Sequence, residues 1–298
     1  MASAGKICHS AAHILHQLSF HGLAARRKDT LVLRMEKTLV FLTCYNCAPQ
    51  IPRVLAQFKA EYADLFDEIL VIDNRSTDGT REAAIAAAKN MPNYKITVMQ
   101  NDDNINLGGS HKVAFNYAKQ HGYDYAIILH GDDQGSIDDV VAPLRSGQHR
   151  NVDFLLGSRF LPQSKTPGYS PLRIFGNYVF NLLYTVMTGK MIYDLGSGLN
   201  VFKVSALDEA AYMRLPDRLT FNYYLIMWMI IARRKFTFFP LVWREEDQIS
   251  NARLSKLVEA LVRIAISYII HGKTLISRMP VIDGSYTSTI LYQHEAQK

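Results

Sequence analysis

His130-Gly131-Asp132-Asp133-Gln134 directly follows an apolar run, Tyr125 to Leu129. Carboxylate and amide oxygens are costly to place at the end of a buried segment unless something cationic meets them there. Mg²⁺ and Mn²⁺ take such oxygens, usually with few protein ligands and the remainder from phosphate and water. His130, Asp132 and Gln134 are two apart, and in an extended segment that spacing puts them on one side. These three are the candidate metal set, and Asp133 is expected to point away. The plain alternative is an acidic turn opening a helix near Ser136. Two further polar clusters precede this one: Thr43-Cys44-Tyr45-Asn46, and Asp73-Asn74-Arg75-Ser76-Thr77-Asp78-Gly79-Thr80. In the second, Thr77 or Asp78 could simply cap a helix.

The elements that must hold these clusters follow from periodicity. Thr38–Leu42, Glu68–Asp73, Ile96–Met99 and Tyr125–Leu129 are short apolar runs that suit buried strands. Between them, Pro52 to Phe66, Thr80 to Lys89 and Gly109 to His121 carry helical patterns. That alternation implies a mostly parallel sheet with helices on both faces. Ligands in such sheets gather at the carboxyl ends of the strands, where all three clusters lie. Beyond residue 150 the pattern changes. Asp153–Leu156, Val201–Lys203 and Phe236–Val242 read as strands. Leu172–Met187 and Phe221–Ala232 read as strongly apolar helices, either core or an interfacial surface. Leu254–Ile270 is an amphipathic helix with Leu257, Leu261, Ile264, Ala265 and Tyr268 on one face, and the polar tail after Gly272 is expected to be loosely ordered.

Taken in order, these clusters resemble family 2 glycosyltransferases of the GT-A fold, nearest the polyprenyl-phosphate (dolichol-phosphate) sugar synthase branch. Thr43-Cys44-Tyr45-Asn46 resembles that family's first-strand signature, and Ile72 to Thr80 its V-D-D-G-S-T-D-G-T. Asn106-Leu107-Gly108-Gly109 resembles the glycine-rich segment before the third helix, and His130 to Gln134 falls where the family has D-A-D-L-Q. Gly157-Ser158-Arg159-Phe160, Asp194-Leu195-Gly196-Ser197-Gly198 and Leu254-Ser255-Lys256 resemble the later motifs. The resemblance covers residues 37–260. It implies residues 1–36 as an N-terminal extension (Met35 being an alternative start), 37–250 as a GT-A, Rossmann-like domain, and 251–298 as the amphipathic helix and tail.

The resemblance further implies an inverting, metal-dependent transfer from a nucleotide-diphosphate sugar to a lipid-phosphate or saccharide acceptor in glycan or cell-envelope polysaccharide synthesis. Thr43, Tyr45, Asn46, Asp73 and Asn74 would hold the nucleoside. Asp132 and Gln134, with His130 left open, would hold Mn²⁺ or Mg²⁺ against the diphosphate. Arg159, Arg244, Arg253 and Lys256 are candidates for phosphate contacts. Asp194 and the Glu245-Glu246-Asp247 run are candidates for the general base that a sugar hydroxyl would need, whereas a lipid phosphate is already anionic and needs none. Four departures leave donor base and metal preference open. The first-strand proline is absent, Cys47 replaces Glu, Asn74 replaces the second Asp of the D-D pair, and His130 replaces the first Asp of the D-x-D.

Bulk composition agrees with a folded protein: 298 residues, 48% hydrophobic and 20% charged, with a formal net charge of +6. The basic balance suits nucleotide diphosphates, lipid phosphates or a membrane surface, and no basic block points to nucleic acid. No run reaches the roughly 18 to 20 apolar residues of a membrane span, so the expectation is a cytoplasmic protein, peripheral at most on the inner face of the membrane. Three cysteines, Cys8, Cys44 and Cys47, do not make a disulfide scaffold, and C-x-x-C has no second ligand pair for structural zinc. A nucleotidylyltransferase would carry G-x-G-x-R after the first strand, where Cys44-Tyr45-Asn46-Cys47 stands. A dehydrogenase would carry G-x-G-x-x-G there. A non-catalytic nucleotide-sugar-binding module is the alternative of a different class.

Overall fold

The structure is a computed structural model that describes residues 36–247, 254–282, 284 and 286–297. In chain order its strands and helices are β1 (Thr38–Cys44), α1 (Ile51–Ala56), β2 (Glu68–Asp73), α2 (Thr80–Ala88), β3 (Ile96–Asn101), α3 (Asn106–Gln120), β4 (Tyr125–His130), α4 (Asp138–Arg145), β5 (Phe154–Ser158), α5 (Pro171–Thr188), β6 (Leu199–Lys203), α6 (Glu209–Tyr212), α7 (Phe221–Ile231), β7 (Phe236–Pro240), α8 (Leu254–His271) and β8 (Ser288–His294). The strands form one sheet in the order β7-β5-β6-β4-β1-β2-β3-β8. The β4-β1-β2-β3 centre is parallel, as the alternating pattern requires, and β6 and β8 run antiparallel to their neighbours.

Both faces of the sheet are covered, because successive residues of each central strand are apolar and point to opposite faces. Leu39, Phe41, Leu70, Ile72 and Ile128 face α3 and α7, while Val40, Leu42, Ile69, Val71 and Leu129 face the side of α1, α2 and α4. Register then aligns the strand ends. Cys44 pairs with Asp73, Asp73 with Gln100, and Thr43 with His130. The polar clusters therefore leave the sheet side by side.

The elements differ from expectation in four places. The helix expected over Pro52–Phe66 stops at Ala56, because Lys59 turns extended (φ −70°, ψ 149°) and a short 3₁₀ turn follows at Ala60–Tyr62. Residues 288–294 of the expected loose tail pair with β3 instead. The two apolar helices separate into different roles. α7 is core, with Phe221, Leu225, Met227 and Met229 buried, whereas α5 buries only Asn181 and Tyr184. On α5, Phe175 (67% accessible), Leu182 (64%) and Val186 (75%) stand in the open with Leu172, Tyr178, Val179 and Leu183. Finally, α8 turns Leu261, Ile264 and Ala265 inward against α5, where Tyr184 donates its hydroxyl to Leu261 O (2.8 Å). Its outward face also carries Val258, Val262, Ile266, Ile269 and Ile270, so α8 is apolar on more sides than the expected stripe. Among the described residues no helix is long and apolar enough to cross a membrane.

Candidate functional site

Two of the three clusters are laced together at the ends of β1 and β2. Asn46, in a left-handed conformation (φ 51°), accepts from Thr77 N–H and donates its own N–H to Ser76 Oγ, both at 2.9 Å. Ala48 N–H donates to Asp78, and Cys47 N–H to Thr80 Oγ1. Gly79 (φ +88°) supplies the left-handed turn into α2, which a residue with a Cβ would resist. Tyr45 projects from this joint and is 44% exposed.

Asp73 and Asn74 are fully occupied by protein partners. Asp73, buried, accepts from Ser76 N–H (3.2 and 3.3 Å) and from Gln100 Nε2 (2.7 Å). Asn74 accepts from Asn101 Nδ2 and Ile105 N–H at 3.0 Å and donates to Asn104 Oδ1 at 2.9 Å. These side chains build the floor under the Tyr45/Asn46 loop. Gln100, Asn101 and Asn104 complete the floor. Nothing local in their sequence marks them, because their partners lie about thirty positions away.

The third cluster follows β4 and is not extended. Asp133 has a positive φ of 61° and folds residues 131–135 into a turn. The spacing-of-two argument for His130, Asp132 and Gln134 therefore fails after His130, for Asp readily adopts this left-handed geometry. Asp133 nonetheless points away as expected. It accepts from Arg53 Nε (2.8 Å) and Gln57 Nε2 (2.8 Å), with Arg244 Nη2 at 3.5 Å. Arg244 is thus engaged on the far side of the turn. Asp132 accepts Gln134 N–H at 3.2 Å, and its Oδ2 lies 4.0 Å from His130 Nδ1.

The electrostatics of this corner set it apart. Asp132 keeps 37% of its side-chain surface accessible, yet the strand ends around it displace enough water to push its pKa up to about 6, against the pull of Gln134 N–H. Burial, reinforced by the nearby Arg159 cation, lowers His130 to about 4, so its imidazole is neutral. His130 Nε2 is buried without a hydrogen-bond partner among the described residues, as is Thr43 Oγ1. Gly131 N–H donates to Thr43 O (3.0 Å). A Cβ on Gly131 would sit 2.5 Å from Cys44 Sγ and 3.3 Å from Cys47 Sγ. The two cysteines, both free and buried, are therefore packing against this glycine, which agrees with their reading as small residues at a strand-to-loop junction.

The candidate bases are paired. Asp194, buried, accepts from Arg159 Nε and Nη2, each at 2.8 Å, and from the N–H groups of Arg159 and Gly196 at 3.0 Å. Although burial lowers the Arg159 guanidinium, Asp194 outweighs that and holds it firmly charged. Arg159 also lies over the rings of Trp243, Tyr169 and Phe160 at 5.2 to 5.7 Å. Glu245 accepts from Arg173 Nη1 at 2.7 Å. Both carboxylates expected as base candidates carry ion pairs, and Arg159 is the partner of one of them. Trp243, which sequence reasoning missed, walls both Arg159 and His130, with its ring centroid 6.3 Å from that of the imidazole. Its only signal was rarity, as one of two tryptophans. Lys256 stands exposed on α8, and Arg253 lies outside the described residues.

Comparisons with known proteins agree with this geometry. The family described as Glycosyl transferase family 2 matches residues 39–210, which include β1 to β6 and all three clusters. The undecaprenyl-phosphate mannosyltransferase of Micrococcus luteus is 24% identical over 171 residues, 57% of this chain and 68% of that protein. The UDP-N-acetylglucosamine–dolichyl-phosphate N-acetylglucosaminyltransferase of Methanococcus voltae is 22% identical over 152 residues, 48% and 61% of the two chains. Among solved structures, glucosyl-3-phosphoglycerate synthase of Mycobacterium tuberculosis in complex with Mn²⁺, UDP-glucose and phosphoglyceric acid shares the fold. Its TM-score is 0.54 at 16% identity, covering 88% of this chain and 90% of that one.

Proposed function

The chain belongs to glycosyl transferase family 2, and from that premise we propose that it moves a sugar from a nucleotide-diphosphate sugar to a polyprenyl phosphate at a membrane surface, with a divalent cation held at Asp132. The observation that carries the reading is the state of Asp132. Its carboxylate stands at the carboxyl edge of the sheet, desolvated, with only backbone N–H donors among the described residues and a pKa raised to about 6. Such a carboxylate is relieved by a cation, and the neighbouring joint between Tyr45-Asn46 and Ser76-Thr77 is open on the same edge. Bound there, Mn²⁺ or Mg²⁺ would offset the charge developing on the leaving diphosphate. Tyr45 offers an exposed ring to a base, and the floor of Asp73, Asn74 and Gln100 keeps the loop that carries it in place.

The acceptor follows from the paired carboxylates. A saccharide hydroxyl needs a base, and three of the four candidates, Asp194, Glu245 and Asp247, pair with arginines. A phosphate oxygen arrives already ionised. The open apolar row of α5, continued by Val258, Val262, Ile266 and Ile269 on α8, suits the interfacial region of a bilayer, with Lys190, Lys256, Arg263 and Lys273 exposed on the same two helices and the turns that follow them. The homologous undecaprenyl- and dolichyl-phosphate transferases support this acceptor class.

Thermal unfolding with UDP-, GDP- and dTDP-sugars, each with Mn²⁺ or Mg²⁺, tests the donor side. Stabilisation that needs both the metal and one nucleotide is expected, and none with any pair would sink the reading. Transfer to a short-chain polyprenyl phosphate, compared with a free saccharide, tests the acceptor. Co-sedimentation with anionic vesicles should be lost in Leu182→Glu/Val186→Glu, and unchanged sedimentation would remove the membrane part of the proposal.

A further inference from the structure

We infer that the C-terminal strand is a working part of the candidate donor site: Ser288 is a positioning residue that acts through Asn101 on Asn74 and on the turn opening α3. Its effect on transfer rests on the donor-binding reading of this sheet edge, whereas its hydrogen bonds can be measured without donor.

Each amide in this relay has its direction dictated by a partner. A side-chain amide can be turned end for end, so its sense is set by neighbours that only donate or only accept. The Ile105 backbone N–H is such a neighbour, and it meets Asn74 Oδ1 at 3.0 Å. Asn74 therefore keeps its Nδ2 for Asn104 Oδ1 (2.9 Å), which also receives the Asn106 N–H (3.1 Å). Asn101, wholly inaccessible, must then offer Nδ2 to Asn74 Oδ1 (3.0 Å). Ser110 imposes the same sense. Its one hydroxyl proton goes to Asn106 O (3.1 Å), so Ser110 Oγ accepts from Asn101 Nδ2 (3.1 Å). Both amide hydrogens of Asn101 are thus committed to the site, and its Oδ1 faces β8. There the Ser288 hydroxyl donates to it at 2.8 Å. A buried carbonyl that loses its donor is costly, so without this hydroxyl the relay loses what holds its outer end.

The segment that carries Ser288 is held independently of that hydroxyl. Asp102 N–H donates to Thr287 O (3.1 Å), and Thr289 Oγ1 donates to Asp102 Oδ1 (3.1 Å). Tyr286 donates its hydroxyl to the Asp217 carboxylate (3.0 and 3.2 Å) and accepts from Lys112 Nζ (2.9 Å), a buried ammonium on α3. Asp217 also takes the Gly108 N–H on its backbone oxygen. Residues 286–289 therefore grip the start of α3 at two places, and removing one hydroxyl leaves the strand in the sheet. What it removes is the direction of the amides. Asn74 N–H donates to Cys44 O (2.8 Å), which ties the relay to the Tyr45/Asn46 loop.

Amide hydrogen exchange on the donor-free chain tests the relay. In Ser288→Ala the Ile105 N–H should exchange about tenfold faster, the scale of one lost buried hydrogen bond, while the Asp102 N–H keeps its protection. Ser288→Thr, which retains the hydroxyl, should restore the Ile105 value. An unchanged Ile105 overturns the inference. Equal changes at Ile105 and Asp102 also overturn it, because they mean that the strand has detached, and so do equal effects of alanine and threonine. Steady-state transfer gives the functional readout. KM for the nucleotide sugar should rise about tenfold in Ser288→Ala with kcat within about threefold, and Ser288→Thr should recover it. An unchanged KM, or a fall in kcat alone, contradicts a positioning role on the donor. If the parent uses no nucleotide sugar, the donor-binding reading fails, and the exchange measurement still decides the relay.

Discussion

Two carboxylates stand at opposite ends of the same sheet and answer burial in opposite ways. Glu68, at the amino end of β2, is wholly inaccessible. Burial alone would push its pKa up, but Tyr123, Tyr117 and Thr97 donate hydroxyls to it and Lys95 an ammonium, so it is held below the usual glutamate range. Asp132, just past the carboxyl end of β4, is far more accessible and yet is pushed up to about 6, because desolvation outweighs the pull of two backbone N–H groups, its own and that of Gln134. Depth is therefore a poor guide to function. A carboxylate surrounded by enough donors is finished architecture, while one placed in a dry setting with few of them is the kind that a cation from outside would relieve.

Mutation of each carboxylate should separate these roles. The largest effect is expected from Asp132→Ala, which should lower transfer by about a thousandfold, the several kcal/mol a cation gives a charge-separating transition state. The metal-free protein should keep its melting temperature or gain slightly, since a desolvated charge is removed. Calorimetry and a transfer assay on the same sample check both, and residual transfer near the parent rate would break the comparison. Glu68→Ala should do the reverse. Stranding three buried hydroxyls and an ammonium costs about 3 kcal/mol of stability in urea unfolding, and the remaining folded protein should bind donor normally.

A third test uses pH. The Asp132 pKa in the folded, metal-free chain lies above its unfolded value of about 3.9, so this group favours folding at low pH and loses that contribution as pH rises through about 6. Stabilisation by Mn²⁺ with UDP should run the other way, weakening as pH falls through about 6, and a flat response between about pH 5 and 7.5 would contradict it. Glu68, with its pKa depressed, contributes stability above about pH 4.3 and loses it only as pH falls through its lower folded value. The smallest effect is expected for Lys95→Met, about 1 kcal/mol in urea unfolding, since its ammonium is partly accessible and the three hydroxyls remain on Glu68.

Much of this was legible before any coordinates. Apolar runs ending in polar clusters located the four parallel strands and brought the three clusters to one edge of the sheet. What could not be read depended on partners distant in sequence or on one backbone angle. The protein partners of Asp73 and Asn74 left no trace nearby, because Gln100, Asn101 and Asn104 lie on or just beyond the neighbouring strand. Asp132 and Gln134 looked like a pair on one side because a positive φ at Asp133 leaves no periodic mark. The α5 and α7 sequences are both apolar, and hydropathy alone does not say that one packs under the sheet while the other stands open. The base candidates Asp194 and Glu245 were correctly located as polar groups in loops, but their arginine partners were assigned elsewhere or not at all.

β8 carries a consequence for how the chain is made. Its Ser288 hydroxyl meets Asn101 across 187 positions of sequence, and the whole strand seals the outer edge of β3. Synthesis runs from the amino terminus, so β3 is complete long before its cover emerges from the ribosome. Until then a row of unpaired backbone groups faces outward and can recruit other nascent chains. The last strand thus acts as a closing seam, and a premature stop shortly before residue 288 should yield a protein that has most of its site and aggregates through an open sheet edge.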